Sequence, residues 1–598
     1  MGEYRQGRGP PDRGWSVAKL ESRHTMGGAP ASLRRVFTAV ATALTALAVW
    51  LSLPSPSQKI EMLAGEVARD TPLTITGAFH VHTNRSDGGS SPEEIALAAK
   101  QAGLQFVVFT DHGNGTRVPD PPQYRSGVLT FDGVEISTNG GHYIAIGLEE
   151  TPYPLGGEAY SVIEDVRRFG GFGVIAHPGS PRDSLAWTDT SLPVDGMEWL
   201  NADSQWRDES ILRLLGAGLG YFFRPSETLA AFLDRPIRTL QMWDEASRTR
   251  QIVGLAGHDA HGPVRVGVAE EGSVSLGLGF PGYKELFETF SLHLQLDKEL
   301  VGQADVDAPL VLDALRSGRV FTVVDAVASG VSFDFVVLGK AQRYSMGETV
   351  PLDDAVELLA SVSPIPGSEI VLMQNGRPIH RTVDSSLRYR VSESAVYRVE
   401  VLVDGADADG AVPWIIGNAV RIGSVPSVEP GELPSPTAVM ELVPDLGGEE
   451  GVWTSEAGDD SAAAVVTDAK ELVFRYRLSG SKIDSSYAAA VRSLNGVGVE
   501  GWDTVSLVAS ADRPVRVSVQ LRDGRSSEDI RWRASFYADR EPRSITIPFG
   551  RFISTVPMET RALRVEDMDA FLIVVDLVNS APGTNGELRL ESIQLERR

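Results

Sequence analysis

The sequence contains no cysteine. A chain without cysteine forms no disulfides, has no thiolate zinc site or cysteine nucleophile, and offers no thiol for a lipoprotein anchor. Any transition-metal site must therefore be built from His, Asp and Glu. Histidine is itself scarce, since the chain has 10, but seven of these fall between His80 and His261.

Positive charge is also in deficit. Lys+Arg 55 against Asp+Glu 80 gives a net charge of -25, which argues against non-specific nucleic-acid binding as the main activity. Hydrophobic residues make up 42% and charged residues 23%, as in ordinary globular proteins, which excludes wholesale disorder, collagen and a polytopic membrane protein. A length of 598 residues corresponds to about four domain-sized units.

A long uncharged run stands near the N-terminus, at residues 36–53 (VFTAVATALTALAVWLSL), directly after Arg34 and Arg35. It lies at the short end of what spans a bilayer, so a cleaved secretory signal and an uncleaved membrane anchor both remain open. Whether the segment is a signal or an anchor, we expect residues 1–58 to form a leader. We therefore predict an exported protein of the cell envelope, membrane-anchored or secreted.

Residues 73–325 alternate short apolar runs with helical patterns. The runs ITGAFHVHT, FVVFTDH, YIAIGL, GVIAHPG and IVGLAGHDAH are typical of strands that end in polar residues. Ser91, Pro92 and Glu94 fit the N-cap, first-turn and capping-box positions of a helix between two of them. Repeating strand–helix units predict a parallel sheet, closed into a barrel.

The pattern changes after residue 330. Residues 331–424 alternate apolar and polar residues, and Asn375-Gly376 predicts a hairpin turn, so we expect a small Ig-like β-sandwich. Residues 425–437 are rich in Pro and Ser and predict a linker. Residues 438–598 form a second β-rich unit, expected to be a jelly roll. The predicted class is multidomain α/β plus all-β.

Residues that can bind metal stand at or near the ends of the predicted strands. His80 and His82 are two apart, so a strand presents both imidazoles on one face. In a parallel barrel the strand ends converge on one rim, which predicts a single imidazole and carboxylate cluster. Nitrogen and oxygen ligands without sulfur suit two or three Zn, Mn or Fe ions. The further candidate ligands are Asp87, His112, Glu135, His142, His177, Asp259 and His261.

The segments HVHTNRSDGGSSPEEI, FVVFTDH, GVEIS, VIAHPG and GHDAH resemble the successive motifs of PHP (polymerase and histidinol phosphatase) domains. This resemblance implies a distorted (β/α)7 barrel over residues 73–325, with a di- or trinuclear metal centre and phosphoesterase activity. The following AVYRVEVLVDG and VPWIIGN look more narrowly like CehA/McbA-type metallohydrolases. Gly417-Asn418-Ala419 departs from that pattern, in which Ser-Asn-Pro is usual.

The resemblance also implies how the ligands are divided among three metals. The first set is His80, His82, Glu135 and Asp259; the second is Glu135 as a bridge, His142 and His177; the third is Asp87, His112 and His261. Of these, Glu135, Asp259 and His261 would take part in catalysis through the metal centre. His258 is interpreted as a structural histidine, and Asp111 as a residue that orients His112 or caps a loop.

The predicted chemistry is hydrolysis by metal-activated water, with Arg182 and Arg85 as candidate phosphate-binding residues. The substrate would be a small-molecule phosphoester. An alternative keeps the metal centre but places a carbamate or aryl ester in it. A third alternative, from a different class, is a non-catalytic envelope protein that binds glycan.

The last unit resembles a galactose-binding-like jelly roll, as found in carbohydrate-binding modules, on the segments WDTVSLVAS, VRVSVQLRD, ITIPFGRF and ELRLESIQL. This resemblance makes a cell-surface glycan a candidate partner. Its aromatic residues would serve either as a sugar-stacking platform or as the core of the sandwich. These residues are Trp453, Trp502, Trp532, Phe536 and Tyr537.

Overall fold

The structure is a computed structural model that describes residues 31–54, 56, 58–59, 72–187, 189–207, 211–262, 281–363, 365–403, 410–423, 434–443, 453–467, 471–481, 485–495, 499–524, 530–556 and 563–598. The chain divides into two compact units, residues 1–53 and 54–598. In the first, helix α1 (Ala31–Ser52) includes most of the predicted apolar segment. None of the helices within these ranges combines the length and hydropathy that a membrane crossing requires. The first 30 residues of the predicted leader and most of the predicted linker lie outside the described residues.

Residues 58–329 combine strands and helices, as the sequence predicts, but the alternation is incomplete: five strands follow one another between residues 106 and 146, and four helices between residues 202 and 247. In chain order they are β1 (Gln58–Lys59), β2 (Leu73–Val81), α2 (Pro92–Gln101), β3 (Phe106–Phe109), β4 (His112–Gly113), β5 (Gln123–Arg125), β6 (Val128–Thr138), β7 (Gly141–Ile146), α3 (Ala159–Arg168), β8 (Phe172–Ile175), β9 (Gly196–Asn201), α4 (Ala202–Arg207), α5 (Ile211–Phe223), α6 (Pro225–Ala230), α7 (Ile237–Ser247), β10 (Val253–Gly257), α8 (Tyr283–Phe287), β11 (Ser291–Leu296), α9 (Ala304–Ser317), β12 (Val320–Val323) and β13 (Ala328–Ser329).

The capping box predicted at the start of α2 is confirmed. The Ser91 hydroxyl accepts from the Glu94 amide, and the Glu94 carboxylate accepts from the Ser91 amide at 2.8 Å. Ile95 and Ala99 of this helix are buried, so the helix lies with its apolar face on the barrel core. The cap fixes where the chain turns from the loop after β2 into the helix.

The barrel is mixed rather than all-parallel, which corrects the sequence prediction. The pairs β2–β3, β3–β6, β8–β9 and β9–β10 are parallel, but β7 runs antiparallel to both β6 and β8. The reason is the connection between β6 and β7, because Asn139 and Gly140 alone join the two strands. Two residues can close a hairpin but cannot form the crossover that a parallel pair needs.

The barrel closes where the end of β2 meets the segment after β10. Val81 forms a parallel bridge with Ala260, and the His82 amide donates to the Ala260 carbonyl at 2.9 Å. The first half of β2 pairs instead with β11. This closure places the histidines at the end of β2 beside those that follow β10.

Residues 333–422 form the predicted β-rich unit. Its strands are β14 (Phe333–Gly339), β15 (Arg343–Ser345), β16 (Thr349–Val350), β17 (Ala355–Val362), β18 (Ser368–Gln374), β19 (Arg377–Thr382), β20 (Ser386–Arg390), β21 (Ala395–Val403), β22 (Ile415–Gly417) and β23 (Val420–Ile422). The predicted hairpin is confirmed, since Asn375 and Gly376 join β18 to β19 with φ values of 48° and 81°.

One sheet of this unit continues the barrel sheet, because β22 pairs antiparallel with β12. The buried side chain of Asn418 strengthens the junction. Its amide oxygen accepts from the Gly254 amide at 2.8 Å, and its amide nitrogen donates to the carbonyls of Gly254 and Val320. The asparagine that the sequence retains between Gly417 and Ala419 therefore joins this unit to the barrel strand β10.

The C-terminal unit consists of two six-stranded sheets, as expected of a jelly roll. Its elements are β24 (Ala438–Val443), β25 (Trp453–Ala457), β26 (Ala462–Thr467), β27 (Leu472–Arg477), β28 (Tyr487–Ser493), β29 (Thr504–Ala511), β30 (Val515–Asp523), β31 (Ile530–Ala538), β32 (Arg543–Pro548), a 3-10 turn (Phe549–Arg551), β33 (Ile553–Ser554), a 3-10 turn (Val565–Asp567), β34 (Ala570–Asp576) and β35 (Asn585–Arg597).

Most of the aromatic residues considered for a sugar platform belong to the core between these sheets. Tyr537 faces outward but is covered by the barrel, with the guanidinium of Arg168 4.1 Å from its ring centroid. Trp502 is half-buried against the core. The core interpretation is the right one for Trp453, Trp532 and Phe536, which are buried between the two sheets.

Buried ion pairs hold the jelly roll against the barrel. Arg516 of β30, whose side chain is 1% exposed, donates to both carboxylate oxygens of Asp165 in α3 at 2.6 and 2.7 Å. Arg533 of β31 donates to Glu158, at the N-cap of α3, at 2.7 Å. Since α3 packs on β7 and β8, the jelly roll rests on the helix that supports two strands of the metal site described next.

Candidate metal centre

The nine predicted ligands meet in one place, with Glu135 at its centre. This glutamate lies on β6 and is 1% exposed. Its neighbour across the hairpin is β7, in which His142 pairs with Ser137, two residues beyond Glu135 on the same strand face. Imidazole nitrogens surround the carboxylate oxygens at 2.7 Å from His142, 3.0 Å from His177, 3.1 Å from His112, 3.3 Å from His82 and 3.5 Å from His80.

Two further carboxylates complete the cluster on either side. Asp87, in the loop after β2, lies 3.2 Å from His82 Nδ1, 3.2 Å from His261 Nε2 and 3.5 Å from His112 Nε2. Asp259 lies 3.3 Å from His80 Nε2 and 3.4 Å from His82 Nε2. These contacts bring together the loop after β2, the start of β4 and the segment after β10 around one volume.

Three groups of side chains have ligand atoms that all lie within 4.8 Å of one another. They overlap, because His82 belongs to two groups and His112 to two. The structure thus gives His112 a place beside Glu135 and His142 as well as beside Asp87, whereas the sequence assigned it to the Asp87 set alone. The groups are His82, Asp87, His112 and His261; His80, His82 and Asp259; and His112, Glu135 and His142.

Several buried ring nitrogens in this cluster make no hydrogen bond to any of the described residues. They are His80 Nε2, His82 Nδ1, His82 Nε2 and His177 Nδ1. Buried polar atoms are nearly always satisfied, and leaving one unpaired costs about 1–3 kcal/mol. Four such nitrogens among carboxylate oxygens fit bound cations, for which neutral imidazole and carboxylate are the preferred ligands.

The backbone is strained at three of these ligands. His80, His177 and Asp259 have φ values of 62°, 30° and 48°, in the left-handed region that residues with a Cβ rarely adopt. Each such residue costs about 1–3 kcal/mol and persists only where the surrounding structure enforces it. At His80 the strain coincides with a bulge in the pairing of β2 with β3. Simple strand alternation therefore predicted the right pair of histidines but not the backbone that aims them.

Glu198 is a member of the site that the sequence analysis missed. It is fully buried on β9 and accepts from His80 Nδ1 at 2.6 Å, from the His177 amide at 2.6 Å and from Asn201 Nδ2 at 2.9 Å. A hydrogen on His80 Nδ1 leaves Nε2 of that ring free to act as a ligand. The available signal was a single carboxylate within GMEWLN, an otherwise apolar strand.

Asp111 fixes the loop that carries Asp87. Its carboxylate accepts from the Thr83 amide at 2.8 Å, from the Thr83 hydroxyl at 2.8 Å and from the Ser86 hydroxyl at 2.7 Å. The loop also needs Gly88, because a Cβ there would lie 2.3 Å from the His82 carbonyl oxygen. The interpretation of Asp111 as a loop-capping residue is confirmed.

His258 is a structural histidine, as interpreted from the sequence. Its ring stacks on Phe290 at 4.2 Å between centroids, and its Nε2 lies 2.9 Å from the Phe290 carbonyl oxygen. Burial lowers the pKa of this imidazole to about 4. A neutral ring enclosed by apolar neighbours supports the wall behind the ligands without joining them.

The carboxylates give the site an affinity for positive charge. Burial by itself lowers the pKa of His80, but the charges of Asp259, Glu198 and Glu135 outweigh burial and hold this pKa well above its ordinary value. The same opposition of burial and carboxylates raises the pKa of His82. Because these rings must lose their protons to bind a metal, metal uptake at this site releases protons.

The two predicted phosphate-binding arginines lie in different surroundings. Arg85 donates to both oxygens of Asp132 at 3.0 and 3.1 Å and also contacts Asp120, so its guanidinium is already held by carboxylates. Arg182 follows His177 in an exposed loop. The geometry therefore favours Arg182 over Arg85 as a group available to a substrate.

No family model matches the chain, and neither does any curated protein. Among solved structures, the chain is similar to a two-domain protein from Bacteroides vulgatus that contains a predicted PHP-like metal-dependent phosphoesterase. The two sequences are 14% identical, the match covers 61% of this chain and 100% of that chain, and the TM-score is 0.29. It is also similar to the family 11 carbohydrate-binding module of a cellulosomal cellulase of Clostridium thermocellum, at 18% identity, covering 27% of this chain and 97% of that chain, with a TM-score of 0.22. These neighbours are of the two kinds that the sequence motifs resemble, but at such identities and TM-scores the function must be derived from the side chains.

Proposed function

We propose that the protein is a metal-dependent hydrolase of ester bonds, most specifically a phosphoesterase. The observation that carries this proposal is the cluster of nine nitrogen and oxygen ligands around the buried Glu135, in which four buried ring nitrogens make no hydrogen bond within the described part of the chain. A purely structural cluster would satisfy those nitrogens with hydrogen bonds. Two or three divalent ions of Zn, Mn or Fe fit a set of ligands without sulfur.

When bound, such ions activate water and polarise the scissile bond of an ester. The side chains and backbone of the protein hold the ligands in position. Glu198 holds His80 in one tautomer, Asp111 holds the loop of Asp87, and the left-handed backbone aims His177 and Asp259 inward. Buried carboxylates also keep the site selective for cations over anions until metal is bound.

The direct test is turnover of bis-p-nitrophenyl phosphate by purified protein stripped of metal and reloaded with Mn, Zn or Fe. We expect activity only after reloading, and expect His80→Asn to abolish both the activity and tight metal retention. His380→Asn, at an exposed position on β19, is the matched control and should change neither. Absence of metal-stimulated turnover on every ester would contradict the assignment as a hydrolase.

The alternative substrate class is a carbamate or an aryl carboxylic ester, which the same ligands would serve. An aryl carbamate assayed beside the phosphodiester separates the two, because the preferred substrate shows the higher kcat/KM. The third alternative, a non-catalytic envelope protein that binds glycan, predicts metal binding without turnover. The burial of Trp453, Trp532 and Phe536 in the jelly-roll core weighs against the sugar platform on which it depended.

We also propose that the protein is exported. The basis is the uncharged stretch 36–53 after Arg34 and Arg35, together with the absence of cysteine. Fractionation of a tagged full-length chain should recover it in the envelope or the medium, whereas a chain without residues 1–58 should stay in the cytoplasm. Recovery of both in the cytoplasm would refute export.

A further inference from the structure

A cavity of about 450 Å³ adjoins the metal cluster. Metal-site residues His177, Glu198 and Asn201 form part of its wall, and residues 234–239, which lead into α7, form another part. Its volume lies within the range of small-molecule binding sites. We call it the side cavity. Of the nine ligands His177 alone lines it, so the cavity lies on the His177 side of the cluster.

The wall of the side cavity carries three arginines, and two of them are neutralised. Arg213 lies 3.6 Å from Asp234. Arg235 donates to Glu400 at 2.8 Å, as part of a buried network that also contains Arg398. These two arginines therefore shape the cavity without adding net positive charge to it.

Arg238 differs from both. It lies in the first turn of α7 with an exposed side chain that lines the side cavity, and within the described ranges it has neither a hydrogen-bond nor an ion-pair partner. An uncompensated guanidinium at the wall of a cavity attracts an anionic oxygen and can bind it with two parallel hydrogen bonds. In a protein with a net charge of -25, Arg238 thus adds an uncompensated positive charge to a wall that His177 also lines.

We propose that the side cavity receives the non-reacting part of the substrate and that Arg238 selects esters in which this part carries a second anionic group. The inference rests on the proposed phosphoesterase function and refines it: the substrate has one phosphoryl group at the metals and another anionic group at Arg238. Arg182 and Arg85 play no part in this second contact, because neither lines the cavity.

Phosphonates test this directly, since their P–C bond is not hydrolysed by an esterase. Binding to the metal-loaded protein is measured by calorimetry for ω-phosphonoalkanoates of about three to six carbons and for alkylphosphonates of equal length. At the best length we expect the carboxylate to tighten binding roughly two- to fivefold, as a partly exposed charged pair does. Arg238→Met should abolish that preference. Arg248→Met, at the exposed C-terminal end of the same helix, should keep it.

Equal binding of the paired ligands at every length, or a preference that survives Arg238→Met, would overturn the inference. Turnover of bis-p-nitrophenyl phosphate, measured on the same preparations, separates this failure from failure of the proposed function. If that turnover is present and the preference is absent, only the role of Arg238 fails. If neither phosphonate binds and no ester is hydrolysed, both fail together.

Discussion

Replacing Glu198 with Gln tests whether a carboxylate that holds two metal ligands in place controls the metal site. Glu198 accepts three hydrogen bonds, one at Oε1 from His80 Nδ1 and two at Oε2 from the His177 amide and Asn201. Glutamine has nearly the same shape but only one acceptor oxygen. If that oxygen remains with the two donors at Oε2, the amide NH₂ faces His80 Nδ1, and the ring must turn its own hydrogen to Nε2.

The expected size of the effect follows from that exchange. A hydrogen on His80 Nε2 occupies the lone pair that a metal needs, and loss of such an orienting partner typically lowers metal affinity by about 10- to 100-fold. This corresponds to about 1.4–2.7 kcal/mol of binding free energy. The fold itself should lose a similar amount, because a hydrogen bond to a buried charge contributes about 1.5–3 kcal/mol.

The assay is competition for Mn or Zn between the protein and a chromophoric chelator, with circular dichroism to confirm folding. Glu596→Gln is the matched control, since Glu596 is also buried but lies in the jelly roll, where it contacts Ser506 and Arg598. A folded Glu198→Gln protein that binds metal as tightly as the wild type would refute the tautomer argument.

Three further predictions concern stability and substrate binding. Burial lowers the pKa of His293 to about 3, whereas the same histidine in the unfolded chain has an ordinary pKa near 6.5. As pH falls from about 6.5 towards 3, the unfolded chain therefore binds a proton that the folded protein does not, and the fold loses stability. His293→Phe should remove about 2 kcal/mol of that loss between pH 7.5 and pH 5 in urea unfolding, whereas His380→Phe should leave the pH dependence intact. Arg516→Met leaves the buried Asp165 with only the more distant Arg168, at 3.9 Å, and should cost about 3–5 kcal/mol in urea unfolding. Adding Asp165→Asn should recover part of this loss, and an unchanged midpoint would contradict the buried ion pair. Arg182→Ala should raise KM for a phosphoester about two- to fivefold with kcat unchanged, and an unchanged KM would exclude it from the site.

Most of the ligands could be predicted from the sequence because they stand at or near the end of an apolar run, where strand ends converge, although Glu135 lies within β6 and Asp87 in the loop after β2. The antiparallel direction of β7 was not predicted, since repeating strand–helix units favour parallel strands, whereas only Asn139 and Gly140 join β6 to β7. That hairpin matters for the site, because it places His142 directly beside Glu135. The role of His258 followed from the sequence, but Glu198 did not, since one acid in a buried strand has no spacing that marks its partner.

The sequence alone determined which residue types are available for chemistry: without cysteine, the metal ligands must be imidazoles and carboxylates, and their positions at strand ends are local properties of the chain. Only the tertiary structure decided which of these ligands contact one another, because closure of β2 against the segment after β10 brings together residues that are about 180 positions apart. It also decided which arginines are free to bind a substrate, since Arg85 meets Asp132 and Arg235 meets Glu400 only after folding. Charge compensation of this kind depends on distance through space, which the order of residues along the chain does not record.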